Sequence, residues 1–561
     1  MFNTITRKIN LQSILFVGSC YFIFTSINLF YVSTEAPDYI FYKDYFDYFF
    51  YNESTTGRDN GLIYFFLVSC VLKIQEFQIT PTAEIHYISN SIQIVNFLLY
   101  QIGLFGLYKL LSFKKYLKKD IMLSFAVLNF MPFTVKLITT MKPEILAFAL
   151  LPWSLLCIEL FFKTKRINYL YLSIFPNLIL LSTKNTIIAT VVAIYFFILI
   201  KNFRLFTNVN LLKPLLLFIF LYFIILYENY LGNGYFILNH VPEGGLLLIP
   251  PEERVSFGFI YNINFADLIQ KPYRHNHANS LIGLLLLDNF GDYFQWYANN
   301  SRSLFALDNY KIQGFWYFGN VKELTGLFLG LITYFFIFKY IKKYKEIRIY
   351  LALPFFSFFV FLLNVFIRRE YFEPSRAELF KSHYYSYLFL ITFAFVLLSF
   401  LKKQKNYKFF LLIVLILSSL YLHGFFKNTY SNTNQYLSVK NNVSQFCEIN
   451  RALLPLEDNN SCDNYIENLC YPNYLLIDVR YLLNKENINI DNFPIELINK
   501  EGNKVIATNT EGCKSYVEQG YKFESIYKNK VKIPFLNLIY LTLSLLSFYK
   551  IHKLSRNEIN T

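Results

Sequence analysis

Residues 409–425 read FFLLIVLILSSLYLHGF. These 17 positions carry no Asp, Glu, Lys or Arg, and a bilayer's hydrocarbon core takes ~20 apolar helical residues to cross. Similar runs recur along the chain. Windows of this kind fall at 11–33, 88–111, 121–140, 143–162, 168–183, 185–200, 213–232, 323–341, 349–367, 386–401, 409–426 and 533–549. The expectation is an all-α polytopic membrane protein of about 12 spans. The pair at 168–200 is short and broken by Ser182-Thr183-Lys184-Asn185, which predicts tilted or incomplete helices. The window at 11–33 is too long for a signal peptide and lacks a small-residue cleavage site, so it is read as a span.

Composition agrees. Of 561 residues, 55% are hydrophobic, 20% aromatic and 16% charged, whereas soluble domains carry about 25% charged residues. The net charge of +15 sits in short loops: Arg7 and Lys8; Lys114, Lys115, Lys118 and Lys119; Lys163, Lys165 and Arg166; Lys201 and Arg204; Lys342, Lys343, Lys345 and Arg348; Lys402, Lys403, Lys405 and Lys408; Lys550, Lys553 and Arg556. With the spans above, all these clusters share one side. The positive-inside rule makes that side cytoplasmic and places both termini there, in a multi-pass plasma (inner) membrane protein. The charge is thus a topology signal, and no nucleic-acid partner is expected. Residues 62–74, LIYFFLVSCVLKI, break the pattern if they cross. They are read as a helix lying at the outer surface, with a thirteenth short span as the alternative.

Three long loops then face outward, 34–87, 233–322 and 427–532. They divide the chain into a membrane module at 1–426, an outer domain at 427–532, and a last span with its tail at 533–561. Cys20, Cys70 and Cys157 lie in apolar segments as small hydrophobes. Cys447, Cys462, Cys470 and Cys513 all fall in 427–532, which suggests two disulfides of open pairing. Their spacing lacks the C-x₂-C pair of zinc sites. The stretches 473–483 and 503–508 suggest strands or short helices of a small α/β domain.

Chemistry concentrates in the first outer loop. Asp38, Asp44 and Asp47 follow the first span, and the last two share a helical face. They are either a solvated face of an interfacial helix or, for Asp38 above all, a general base toward an acceptor hydroxyl. Lys136 and Lys142 flank the turn before Pro143 and Glu144, and Lys184 occupies the turn of the short pair. A lysine near the bilayer core costs roughly 2.5–3.5 kcal/mol unless paired or snorkelled, and a phosphate at headgroup depth compensates it. Ordinary snorkelling to lipid phosphates is the alternative. A second basic group, Arg368, Arg369, Arg376, Lys381 and His383, either binds an anion or pairs with Glu370, Glu373 and Glu378. His275 and His277 are two possible metal ligands without a third, or a hydrogen-bonding surface pair. Asp288-Asn289-Phe290-Gly291 reads as a turn opening an aromatic helix that holds Tyr293, Trp296 and Tyr297.

Met141-Lys142-Pro143-Glu144-Ile145-Leu146-Ala147 resembles the "R/K-P-E-x-x-A" segment of the GT-C superfamily of membrane glycosyltransferases. Leu181-Ser182-Thr183-Lys184-Asn185-Thr186 is similar to that family's short-span pair ending in a basic turn. The layout of residues 1–400, a first span followed by a long acidic outer loop, is similar to protein mannosyltransferase and aminoarabinose transferase-like members. The resemblance implies sugar transfer from a polyprenyl-phosphate carrier to a glycan, lipid or protein acceptor, with membrane lipids as surroundings. It implies Asp38 as base, with Asp44 as rival, since Asp38-Tyr39 stands where the family has adjacent Asp and Glu. It further implies Lys142, Glu144, Lys184, Arg376 and Lys381 as substrate-binding residues. Some relatives use a divalent metal, Mg or Mn, for which Asp44 and Asp47 could supply oxygen ligands; none is assigned. The competing readings are a polysaccharide polymerase or ligase acting on lipid-linked glycans, and a lipid or glycan transporter. No Walker A, nucleophile-elbow or H-E-x-x-H pattern is present.

Overall fold

The computed structural model describes residues 11–27, 45–46, 48–50, 60–74, 81–139, 141–201, 212–233, 258–270, 277, 280–290, 315–355, 385–401, 495–499, 501, 503–507, 512, 515–516, 519–523, 533 and 535–560. They are mostly helical. The helices are α1 Leu11–Ile27, α2 Leu62–Ile74, α3 Pro81–Phe113, α4 Lys118–Leu128, α5 Pro132–Thr139, α6 Glu144–Thr164, α7 Asn168–Thr183, α8 Asn185–Lys201 and α9 Leu212–Asn233. There follow α10 Gly258–Tyr261, α11 Phe265–Gln270, α12 Leu281–Phe290, α13 Phe315–Lys343, α14 Ser386–Leu401 and α15 Phe535–Asn560. A three-stranded antiparallel sheet lies before α15, in the order β2 (Lys504–Ala507), β1 (Ile495–Ile498), β3 (Lys522–Phe523). Strand β2 falls inside the expected 503–508 stretch; 473–483 lies outside the described residues.

Among the described residues, five helices are long and apolar enough to cross a membrane, or six if one bent pair forms a single span. This is a helical protein with membrane-spanning character. The bent pair corrects the reading of 121–140 as one continuous span. α4 and α5 meet at 73°, because Pro132 cannot continue the hydrogen-bond ladder of α4 and instead starts α5. Helices α7 and α8 have 16 and 17 residues, about 24–26 Å at 1.5 Å per residue and less than the ~30 Å hydrocarbon thickness. They meet at Lys184, whose backbone is extended (φ −164°, ψ 148°). The windows at 349–367 and 409–426 lie wholly or mainly outside the described residues.

Helix α2 forms where expected and is largely covered by the protein. Leu62, Ile63, Tyr64, Phe65, Phe66, Val68, Ser69 and Leu72 are all buried. Leu62–Ile74 is apolar on every side, and such a helix is driven into the bundle.

The core is built around α3 and α6, the most extensive helix pair. Small residues set their closeness: a Cβ on Gly103 would lie 2.5 Å from the Phe148 ring, and one on Gly106 would lie 2.6 Å from Nε1 of Trp153. Without a hydrophobic drive between helices in lipid, close approach at glycines and hydrogen bonds hold them together. Tyr100 donates to Asn129 Oδ1 (2.7 Å) and Asn129 to Ser19 Oγ (2.8 Å), joining α3, the end of α4 and α1. Ser154, Asn177 and Tyr195 join α6, α7 and α8. Trp153 stacks on Phe548 of α15 at 4.6 Å.

The two ends of the bundle differ in chemistry. At one end, Lys114 pairs with Glu159 at 2.6 Å and lies over the Tyr350 ring, Tyr350 donates to Glu159, and Lys163 lies over Phe113. Three of the basic loops therefore meet on one side. At the other end, Glu228 near the end of α9 accepts from the backbone N–H groups of Leu536 (2.8 Å) and Asn537 (2.6 Å). It caps the N-terminus of α15, where a carboxylate offsets the helix dipole.

Candidate functional site

The end opposite the basic loops holds a layer of buried polar side chains. Helix α6 opens there with Glu144 in its first turn, after Pro143, a position that suits both proline and a carboxylate. Helix α7 ends and α8 begins at Lys184. The tertiary fold brings these two termini together: Lys184 Nζ lies 3.0 Å from Glu144 Oε1. Both side chains are buried, with 4% and 2% exposure, so the pair is largely desolvated. The second oxygen, Glu144 Oε2, is buried with no hydrogen-bond partner among the described residues. Lys142, two residues before Glu144, is itself buried at 2% exposure. Lys184 is therefore an interior lysine held by a carboxylate, not one reaching out to lipid.

Helix α2 is pinned against this point. Gly61 donates its N–H to the Thr183 carbonyl at 2.8 Å, and Asn60 bridges Lys184 in an antiparallel sense. A Cβ on Gly61 would meet the Ser182 carbonyl oxygen at 2.1 Å, so the crossing needs glycine. Tyr45 donates to the Asn60 carbonyl at 3.1 Å and stacks on Phe65 with centroids 4.0 Å apart. Tyr45 and Phe46 are fully buried. The described part of residues 34–87 is thus anchored beside Lys184. Asp38, Asp44 and Asp47 themselves lie outside the described residues, as do Arg376 and Lys381.

Tyrosines and amides complete the layer. Tyr64 donates to Asn96 Oδ1 (2.9 Å), and the Asn96 amide donates to the Ile138 carbonyl (2.8 Å). The Glu144 charge reaches Tyr64, Tyr385 and Tyr387. Burial first, then neighbouring Tyr387 and Glu144, holds the Tyr385 phenol well above its ordinary pKa, so it stays a neutral hydroxyl. Farther along, Lys136 Nζ donates to the Asp288 carbonyl at 2.7 Å, and Ser386 donates to Asn289 Oδ1 at 3.4 Å.

Two expectations need correction here. Asp288-Asn289-Phe290 is the buried end of helix α12 rather than a turn; the expected aromatic helix with Tyr293, Trp296 and Tyr297 lies outside the described residues. His277 is buried at 4% exposure, so it is not half of a surface pair. Gly283 packs against it, since an added Cβ would lie 2.9 Å from His277 Cβ.

Of the expected substrate-binding residues, the fold brings Glu144 and Lys184 together, and Lys142 is buried two residues before Glu144. Tyr64, Asn96, Tyr385 and Tyr387 were not foreseen. Among the described residues no group of three or more His, Cys, Asp or Glu could hold a metal ion. Cys20, Cys70 and Cys157 are free thiols, as expected; Cys447, Cys462, Cys470 and Cys513 lie outside the described residues. The chain matches no protein family, no curated protein and no solved structure.

Proposed function

We propose that the chain is a membrane glycosyltransferase that takes sugar from a polyprenyl-phosphate carrier at the buried polar end of its bundle. The observation that supports this reading best is the buried Lys184–Glu144 pair beside the segment that Tyr45 anchors through Asn60. In the proposed complex Lys142 and Lys184 face the carrier phosphate. Lysine charge placed where negative charge grows on the leaving group lowers the barrier. A carboxylate of the first loop, Asp38 or its rival Asp44, takes the acceptor proton. The acceptor oxygen then bonds to the anomeric carbon from the side opposite the phosphate. The carbon–oxygen bond to phosphate breaks, the carrier phosphate leaves with the electron pair, and the configuration inverts. Glu144 holds Lys184 in place before the phosphate arrives, and its second oxygen is free to accept a sugar hydroxyl. Tyr64 and Tyr385 supply neutral hydroxyls beside it. The proposal keeps twelve spans, cytoplasmic termini in the plasma (inner) membrane, an outer α/β domain over 427–532, and Arg376 and Lys381 in the loop between the windows 349–367 and 386–401.

A transporter would instead require a polar path through the bundle, and the hydrogen-bonded groups at mid-depth, Ser154, Asn177 and Tyr195, satisfy one another. The test is complementation of a deletion strain, with surface glycans profiled and membrane insertion checked by blot. Asp38→Asn, Lys142→Met and the double variant Glu144→Leu with Lys184→Met are expected to insert normally and to lose one surface glycan. Full glycan synthesis by all three variants would sink the reading.

A further inference from the structure

A second feature lies at the opposite end of the bundle, where the basic loops meet. A cavity of about 340 Å³ opens between α1, α3 and α4, lined by Phe16, Leu104, Phe105, Tyr108, Met122 and Phe125, with Gln101 at one end and Lys118 at the other. Its volume lies within the range of ligand sites, ~300–1,000 Å³. Its walls are apolar and aromatic, and its surroundings are exposed apolar helix, with Leu15, Val17, Leu98 and Leu117 all turned outward. From Gln101 to Tyr108 is seven residues of α3, or ~10 Å along the axis at 1.5 Å per residue. One leaflet of hydrocarbon is ~15 Å deep. The cavity therefore has the length and polarity for one hydrocarbon chain lying along the helices, with its polar head at the Lys118 end.

The charge there selects the head. Lys118 opens α4 and is exposed, with Lys115 and Lys119 beside it; Asp120 offsets one of them, while Lys114 is engaged with Glu159. The N-terminus of α4 adds its partial positive charge. We propose that the groove between α1, α3 and α4 is a specific site for an anionic glycerophospholipid, one acyl chain lying in the cavity and the phosphate beside Lys118.

The geometry supplies a reporter. Phe105, which lines the cavity, meets the Trp153 indole edge-on at 5.5 Å. The chain's other tryptophans, Trp296 and Trp316, are replaced by Phe, and the full-length protein is reconstituted in phosphatidylcholine vesicles. Phosphatidylglycerol or phosphatidylcholine with brominated acyl chains is then added at equal mole fraction, and Trp153 quenching is read. Brominated phosphatidylglycerol is expected to quench more strongly at low mole fraction. Lys118→Gln is expected to reduce that preference about fivefold, the weight of one lysine beside an anionic lipid head. Met122→Trp would add a second emitter, so Leu104→Phe is the variant that fills the cavity; it should lower quenching by both lipids. Equal quenching by the two lipids in the parent protein would mean ordinary surrounding lipid and would overturn the proposal. So would displacement of the brominated lipid by polyprenyl phosphate but not by unbrominated phosphatidylglycerol.

Discussion

Lys184 and Glu144 carry opposite charges out of water together, and that arrangement constrains what each substitution does. Breaking a buried ion pair from one side leaves an uncompensated charge, at a cost of about 3–5 kcal/mol. Glu144→Ala should therefore lower the thermal unfolding midpoint in detergent sharply, whereas Glu144→Leu combined with Lys184→Met should recover most of it. The double variant separates structure from chemistry: it should insert and melt near the parent protein yet fail to restore the glycan. A single Glu144→Ala variant as stable as the parent would mean that the pair is not desolvated as described. Gly61 gives a second residue-scale outcome. Its missing Cβ faces a carbonyl oxygen at 2.1 Å, so Gly61→Val should separate α2 from the α7–α8 junction and reduce both stability and activity. Gly18, which has nothing within 4 Å of an added Cβ, should tolerate Ala and serves as the matched control for insertion.

Helix by helix, the chain's own punctuation shows which boundaries could be read. The windows 143–162, 168–183, 185–200 and 386–401 match α6, α7, α8 and α14 closely because charged or proline residues bracket them. The bend between α4 and α5 was hidden because an averaged window runs through Asn129 and Phe130 without a charge; Pro132 was the available sign. The burial of α2 was hidden for a different reason, since hydropathy cannot tell lipid from protein as an apolar neighbour. The same limit applies to the site. Lys142, Glu144 and Lys184 stood out as charges among apolar residues, while Tyr64, Tyr385 and Tyr387 were lost among the chain's 46 tyrosines. The elements also differ in how they are held. α15 depends on a carboxylate from another helix, Glu228, for its first turn. Glu228→Ala should destabilise by about 0.5–2 kcal/mol, the range for losing a helix cap. Limited proteolysis should then cut ahead of Phe535 sooner than in the parent; unchanged cleavage would mean that the cap does not hold α15 to α9.

For the whole molecule, the arrangement of charge ties fold to topology. Lys114, Lys163 and Arg348 gather at one end with Glu159 and Tyr350, while Glu144, Lys184, Asn60 and Tyr385 occupy the other. If the positive-inside bias orients the bundle, the polar end faces outward and the lipid groove opens to the cytoplasmic leaflet. Both proposals then occupy opposite leaflets of one protein. Single cysteines introduced at Lys115, Lys345 and Arg58, in a background with the native cysteines replaced by Ser, report this with a membrane-impermeant maleimide. In intact cells Arg58→Cys should label, and Lys115→Cys and Lys345→Cys should label only after the membrane is opened. The reverse pattern would invert the molecule, place the Lys184–Glu144 site at the cytoplasmic face, and remove the physical basis for transfer to an acceptor outside. Labelling of all three in intact cells would put the loop holding Arg58 on the same side as the basic loops and break the span order on which both proposals stand.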